Sequence, residues 1–203
     1  SKFLPFVRRP GRYIGGEVNQ IRKDPADCDF TVAMCFPDTY EVGMSHTGYA
    51  IIYDVLNRID GIAAERVFSP WPDAEKIMRE NNVPLYTLES SAVVKNFDVV
   101  AFSLTNELCY TNVLQVLDLA GITLRAENRG ENEPVILGGA GMANCCEPVA
   151  PFFDAVILGE AEQAIVDFIE LLQRHKKQGS AKKTALLDAA KKFNWLYVPA
   201  FYR

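Results

Sequence analysis

Four stretches limit what this chain can fold into. They are "DFTVAMCF" (29–36), "DVVAFSLT" (98–105), "PVILGG" (134–139) and "DAVILG" (154–159). Each is apolar almost throughout. A strand with one wet face alternates apolar and polar side chains; a near-continuous apolar strand is covered on both faces, as in a parallel sheet. Amphipathic helix patterns lie between them. After Gly48, residues Ile52, Val55, Leu56 and Ile59 fall at i, i+3, i+4 and i+7. "DAEKIMRENN" (73–82) follows Pro72 and holds a Glu75–Arg79 pair at i, i+4. Val113, Val116, Leu117 and Ala120 make a third stripe that Gly121 stops, and Ile165, Phe168, Ile169 and Leu172 a fourth. "AAERVFSP" (63–70) and "PLYTLES" (84–90) are further strand candidates. The expected fold class is α/β: a doubly wound, mainly parallel, five-stranded sheet with helices on both faces.

Around that unit, residues 1–28 read as a basic, Gly-containing arm. Arg8, Arg9 and Arg12 could contact phosphate, but charge runs of this kind are usually solvated surface. The globular unit is placed at 29–174. Residues 175–203 read as a hydrophilic linker ("HKKQGSAKK"), one more helical stripe (Leu186, Ala189, Ala190, Phe193) and an apolar, aromatic end, "NWLYVPAFYR". That end either folds back or leads into more protein, and the second is the expectation.

Composition closes off several classes. No apolar run approaches the ~20 residues of a membrane helix. No signal-peptide pattern opens the sequence, so a cytoplasmic location is expected. The net charge of −5 makes nucleic acid a poor default partner. The five cysteines, Cys28, Cys35, Cys109, Cys145 and Cys146, contain no CxxC or CxxxCxxC. A disulfide framework, or an iron–sulfur site built from this chain alone, is therefore not expected. The adjacent Cys145–Cys146 pair bridges only with strain.

In open parallel sheets ligands bind beyond the carboxyl ends of the strands. That selects Pro37–Gly48, Ser103–Cys109, Gly138–Cys146 and Gly159–Glu162. "GGAG" is a weak phosphate signal, because it does not follow the first strand and lacks GxGxxG; a tight turn is the default reading. Glu160 and Glu162 open a helix, where acids offset the helix dipole without any catalytic role. Ser45–His46 does not make a nucleophile–base pair.

"PGRYIGGEVNQIRKD", "FPDTYEVGMSHTGYAIIYDVLN", "AERVFSPWPD", "PLYTLES", "FDVVAFSLTNELCYTNVLQVLDLAGI", "VILGGAGMANCCEPVAPFFDAVILGEAE" and "YVPAFY" occur in this order. Over nearly all of residues 8–203 the sequence resembles the N-terminal region of an uncharacterised family of B12-binding-domain radical SAM proteins. The resemblance implies a cobalamin-binding, Rossmann-like fold with the corrin over the C-terminal strand edges and its tail threaded into the domain. It also implies a following radical SAM domain in the same polypeptide, holding a [4Fe–4S] cluster and S-adenosylmethionine. By the same resemblance, Ser103, Thr105 and Asn106 line the cofactor-facing edge. Gly138, Gly139 and Ala140 permit close approach of the corrin or its tail. The Asp38–Gly48 loop, with Ser45, His46 and Gly48, and Glu107 cover the site or face the catalytic domain. No residue is assigned as catalytic or as a metal ligand.

The histidine-ligating pattern DxHxxG is absent; "SHTG" stands in its region, with His46 eight residues beyond Asp38. Two readings remain: a cobalamin-binding accessory domain, or a cofactor-free module that docks on the catalytic domain or binds a macromolecular substrate. A free-standing nucleotide-binding protein would need a phosphate loop where Pro37-Asp38-Thr39-Tyr40 stands.

Overall fold

The structure is a computed structural model that describes residues 3–24 and 27–202; the ends of the arm and tail readings at 1, 2, 25, 26 and 203 lie outside these. The apolar runs form β1 (Phe30–Phe36), β3 (Val99–Ser103), β4 (Val135–Gly139) and β5 (Ala155–Ile157), and β2 is Ile62–Phe68. These five pair in parallel in the order β2-β1-β3-β4-β5.

Alternate residues of each strand enter opposite cores. Met34, Val99, Leu137 and Ile157 pack with α2 (Thr47–Asn57), α5 (Glu162–Lys177) and α6 (Lys182–Lys192). Cys35, Val100, Ile136 and Val156 pack with α3 (Pro72–Glu80) and α4 (Tyr110–Leu119). The sheet is therefore doubly wound, and its strand order reverses between β1 and β3, the switch point where crevices open in such sheets.

The sheet departs from the five-strand expectation. A sixth strand, β6 (Leu196–Tyr197), pairs antiparallel with β5, so the sheet is mixed. The apolar end thus folds back, burying Leu196 and Val198. The stretch read as a linker continues α5 to Lys177, and residues 178–181 alone separate it from α6.

"PLYTLES" is not a sheet strand; it makes one bridge, Tyr86 to Val93. Instead it guards the free edge of β2. Leu88 N–H donates to the Arg66 carbonyl at 2.9 Å, and Glu89 takes the Arg66 N–H at 2.6 Å and its Nε–H at 2.7 Å. A covered edge cannot recruit another strand.

The arm is not solvated throughout. Arg12 is 9% exposed, lies 4.4 Å over the Trp71 ring and pairs with Glu41 at 2.7 Å. Glu41 sits on α1 (Tyr40–Met44), a short helix inside the region read as a polar loop. Further along the arm, Glu17 and Asn19 reach the buried Arg66 guanidinium.

Candidate functional site

The loops after β1, β4 and β5 meet over one face of the sheet. Between α2 and α5 they leave an open cleft of about 440 Å³, within the range typical of small-molecule sites. Its floor is the strand face that points toward α2 and α5: Met34 from β1, Ala101 and Ser103 from β3, Leu137 and Gly139 from β4, Ile157 from β5. Ala101 and Gly139 are the small residues, so the floor dips in the middle. Tyr49, Ile52 and Ile165 form apolar walls, while His46, Asn144, Glu160 and Glu162 stand among the polar lining groups.

Local chemistry fixes these positions. His46 is the N-cap of α2: its Nδ1 accepts the Tyr49 N–H at 3.2 Å. The Tyr49 hydroxyl, beneath, donates to the Met34 carbonyl at 2.7 Å and ties α2 to β1. Beyond β4 the chain turns through Ala140 with φ +83°, and beyond β5 through Gly159 with φ +94°. An alanine there is strained by about 1–2 kcal/mol, and such outliers concentrate at functional edges.

The two adjacent glycines of β4 do different things. A Cβ on Gly138 would lie 3.1 Å from the Phe153 ring and 3.2 Å from Leu104, so this glycine accommodates packing on the α4 side. A Cβ on Gly139 would meet only Ile157, at 3.9 Å, and would otherwise point into open cleft.

Of the residues singled out from sequence, His46, Gly48, Ser103, Gly138, Gly139 and Ala140 line the cleft. The others are spread along the same edge, outside it. Asp38 spends its carboxylate on the Thr39 N–H at 2.6 Å, and Ser45 Oγ donates to the Val42 carbonyl. Asn106 donates to Thr105, and Glu107 is exposed. Sequence reasoning did not single out Ala101, Tyr49 or Ile52, and reached Asn144 only as part of the Gly138–Cys146 loop. Ala101 had a signal: two positions before Ser103 on one strand, it shares its face.

The cysteines are free, and burial pushes the Cys35 thiol well above its ordinary value, which makes it a poor nucleophile. Among the described residues no three His, Cys, Asp or Glu side chains gather as metal ligands, and no helix is long and apolar enough to cross a membrane.

Comparison with known proteins adds the family. Residues 48–199 match the family of radical SAM proteins, N-terminal region. This chain belongs to that family. The match begins at the glycine of the His46 cap and ends just past β6, so it includes most of the cleft. An uncharacterised protein of Methanocaldococcus jannaschii is 27% identical over 131 residues, which is 64% of this chain and 24% of that protein. The chain thus spans about a quarter of the length of the curated relative it matches. A radical SAM N-terminal domain is an accessory unit of a larger protein, and that is the class of this chain.

Proposed function

We propose that this domain binds cobalamin in the cleft between α2 and α5 and presents it to a radical SAM domain of the same polypeptide. The carrying observation is the cleft's position and floor. It opens at the carboxyl ends of β1, β3, β4 and β5, beside the strand-order switch, with Ala101 and Gly139 leaving a depression between apolar walls. A flat apolar group, such as the base at the end of the cofactor's tail, suits that depression. The macrocycle is larger than the cleft and would lie over its rim, against Ala140, Gly141, Gly159 and Glu160.

Charge favours this ligand over a nucleoside phosphate. The N-terminus of α5 would attract an anion, but Glu160 and Glu162 already occupy that field. Cobalamin carries neutral amides around the corrin and a single phosphodiester charge in its tail, so it meets less repulsion there than the multiple charges of a nucleoside di- or triphosphate. In the whole protein the radical SAM domain would supply the [4Fe–4S] cluster and S-adenosylmethionine, whose reductive cleavage gives the 5′-deoxyadenosyl radical. The residues here bind and orient; none is a catalytic acid, base or nucleophile. The Rossmann-like kinship and the remaining edge residues, Asp38, Ser45, Thr105, Asn106 and Glu107, belong to this reading as the surface that faces the catalytic domain.

A second reading keeps the fold and drops the cofactor. Leu108, 86% exposed, and Val42 stand on the same edge, as apolar contacts of a docking surface would. Titration of the chain with hydroxocobalamin, followed in the visible spectrum, separates the two. Micromolar binding supports the cofactor reading. No binding to either the chain or the full-length protein leaves the docking module.

A further inference from the structure

The SHTG stretch holds a histidine ring on three sides. Nδ1 accepts the Tyr49 N–H at 3.2 Å; the ring lies 5.2 Å from the Phe36 ring, centroid to centroid; and Gly48 leaves it room. A Cβ on Gly48 would stand 3.3 Å from His46 Cε1 and 3.5 Å from Nδ1. His46 also lines the cleft.

The cap decides the proton. A nitrogen that accepts an N–H must present its lone pair, so in the neutral ring the proton is on the other nitrogen. Nε2 is then an N–H donor with no lone pair to give. For Nε2 to ligate a metal, the proton would have to move to Nδ1, where it would face the Tyr49 N–H and break the α2 cap. Loss of such a cap leaves an N–H of the first turn without its partner and weakens the start of the helix.

We propose that His46 is a tautomer-locked hydrogen-bond donor that orients a ligand in the cleft through an acceptor oxygen on that ligand, and that it is not a cobalt ligand. The ligand half rests on the cofactor reading above; the tautomer half does not. Gly48 belongs to the same device, since a Cβ there would press on the ring at Cε1 and shift it by a few tenths of an ångström. For cobalamin the acceptor is a carbonyl oxygen of a peripheral amide.

The test has two independent arms. Long-range proton–nitrogen NMR of the ligand-free, histidine-labelled chain at about pH 8, above the usual imidazole range, reads the tautomer directly. The chain has two histidines, and His46→Asn removes one set of signals while retaining a good N-cap residue, so assignment is direct. The expected pattern for His46 is a single tautomer protonated at Nε2. A proton on Nδ1, or averaging between the two, overturns the lock.

Hydroxocobalamin titration of wild type and His46→Asn is the second arm. The expected result is about three- to tenfold weaker binding by the variant, the loss of one neutral hydrogen bond, with the same spectrum for both bound forms. Equal affinity overturns the donor role. A nitrogen-ligand spectral shift in wild type that vanishes in the variant overturns the exclusion of cobalt. Failure of both the wild-type chain and the full-length protein to bind refutes the cofactor reading and with it the ligand half, while the NMR pattern still decides the tautomer.

Discussion

Gly138 and Gly139 are neighbours in sequence with opposite surroundings, so the same kind of change should have opposite consequences. In Gly138→Ala the new methyl would sit 3.1 Å and 3.2 Å from two atoms of the Phe153 ring and 3.2 Å from Leu104 Cδ1. Both neighbours are almost wholly buried and have nowhere to retreat. Overpacking of this kind costs about 1–3 kcal/mol, and the better strand propensity of alanine returns about 0.5–1 kcal/mol. The net loss is centred on about 1 kcal/mol and reaches about 2.5 kcal/mol at most, which at the centre is about 2–4 °C in Tm for a chain of this size. Cleft affinity stays within about twofold, because the change faces the α4 side of the sheet.

Gly139→Val places its methyls in the cleft. Its Cβ has Ile157 at 3.9 Å as its near neighbour, so stability stays within about 0.5 kcal/mol of wild type while hydroxocobalamin binding falls at least about tenfold. Thermal unfolding and the spectral titration on both variants make the assay. Loss of stability in Gly139→Val, or loss of binding in a well-folded Gly138→Ala, would refute the assignment of the two faces.

Other expectations follow from single residues. Ala140→Gly relieves a φ of +83° and should stabilise the chain by about 1 kcal/mol in urea unfolding, strain relief outweighing glycine's added entropy. Glu89→Ala leaves the Arg66 guanidinium, 2% exposed, without its close partner; a loss of about 3–5 kcal/mol is expected, and the apolar double change Arg66→Met, Glu89→Leu should recover most of it. Burial alone would raise the Glu133 carboxyl, but the Thr123 and Gly130 N–H groups at 2.8 and 3.0 Å, with Lys95, bring it down to about 2 from the usual 4.5. A carboxyl lowered by folding adds stability that is complete above its unfolded value. That contribution, about 2–3 kcal/mol, should therefore fade as pH falls from about 5 to 2, and Glu133→Gln should flatten the stability profile in that window.

Much of the architecture was legible because it is local. A run such as "DVVAFSLT" carries its own double burial, and the stripes at 52–59, 113–120 and 165–172 carry their own period. What was not legible depends on distant partners. β6 has two residues, too few for a period, and exists because the open edge of β5 at Val156 and Ile157 pairs with Tyr197 and Leu196. "PLYTLES" has strand-like composition, yet Arg66 and Glu89 turn it into an edge cover. Arg12 looks like a surface charge until Trp71 and Glu41, far away in sequence, close over it.

The site divides in the same way. The rule that ligands sit at the carboxyl strand ends found the edge, and six of the named residues do line the cleft. The rule does not distinguish the two faces of the sheet, so it grouped Gly138 with Gly139 and added Asp38, Ser45, Thr105, Asn106 and Glu107. Period-two reading along β4 would have separated Gly138 from Gly139, whereas the other five lie beyond the strand ends, where that period does not apply. The walls, Tyr49, Ile52 and Ile165, are ordinary helix core residues in sequence, and only the placement of both helices beside the strand ends brings them to the cleft.

The most direct test of the central claim is hydrogen exchange by mass spectrometry, with and without saturating hydroxocobalamin. Binding in the cleft predicts added protection in residues 46–52, 139–144 and 159–165, with α3 and the β2 edge unchanged. No added protection, or protection centred instead on 105–110 and α1 with the cleft segments unaffected, would contradict it.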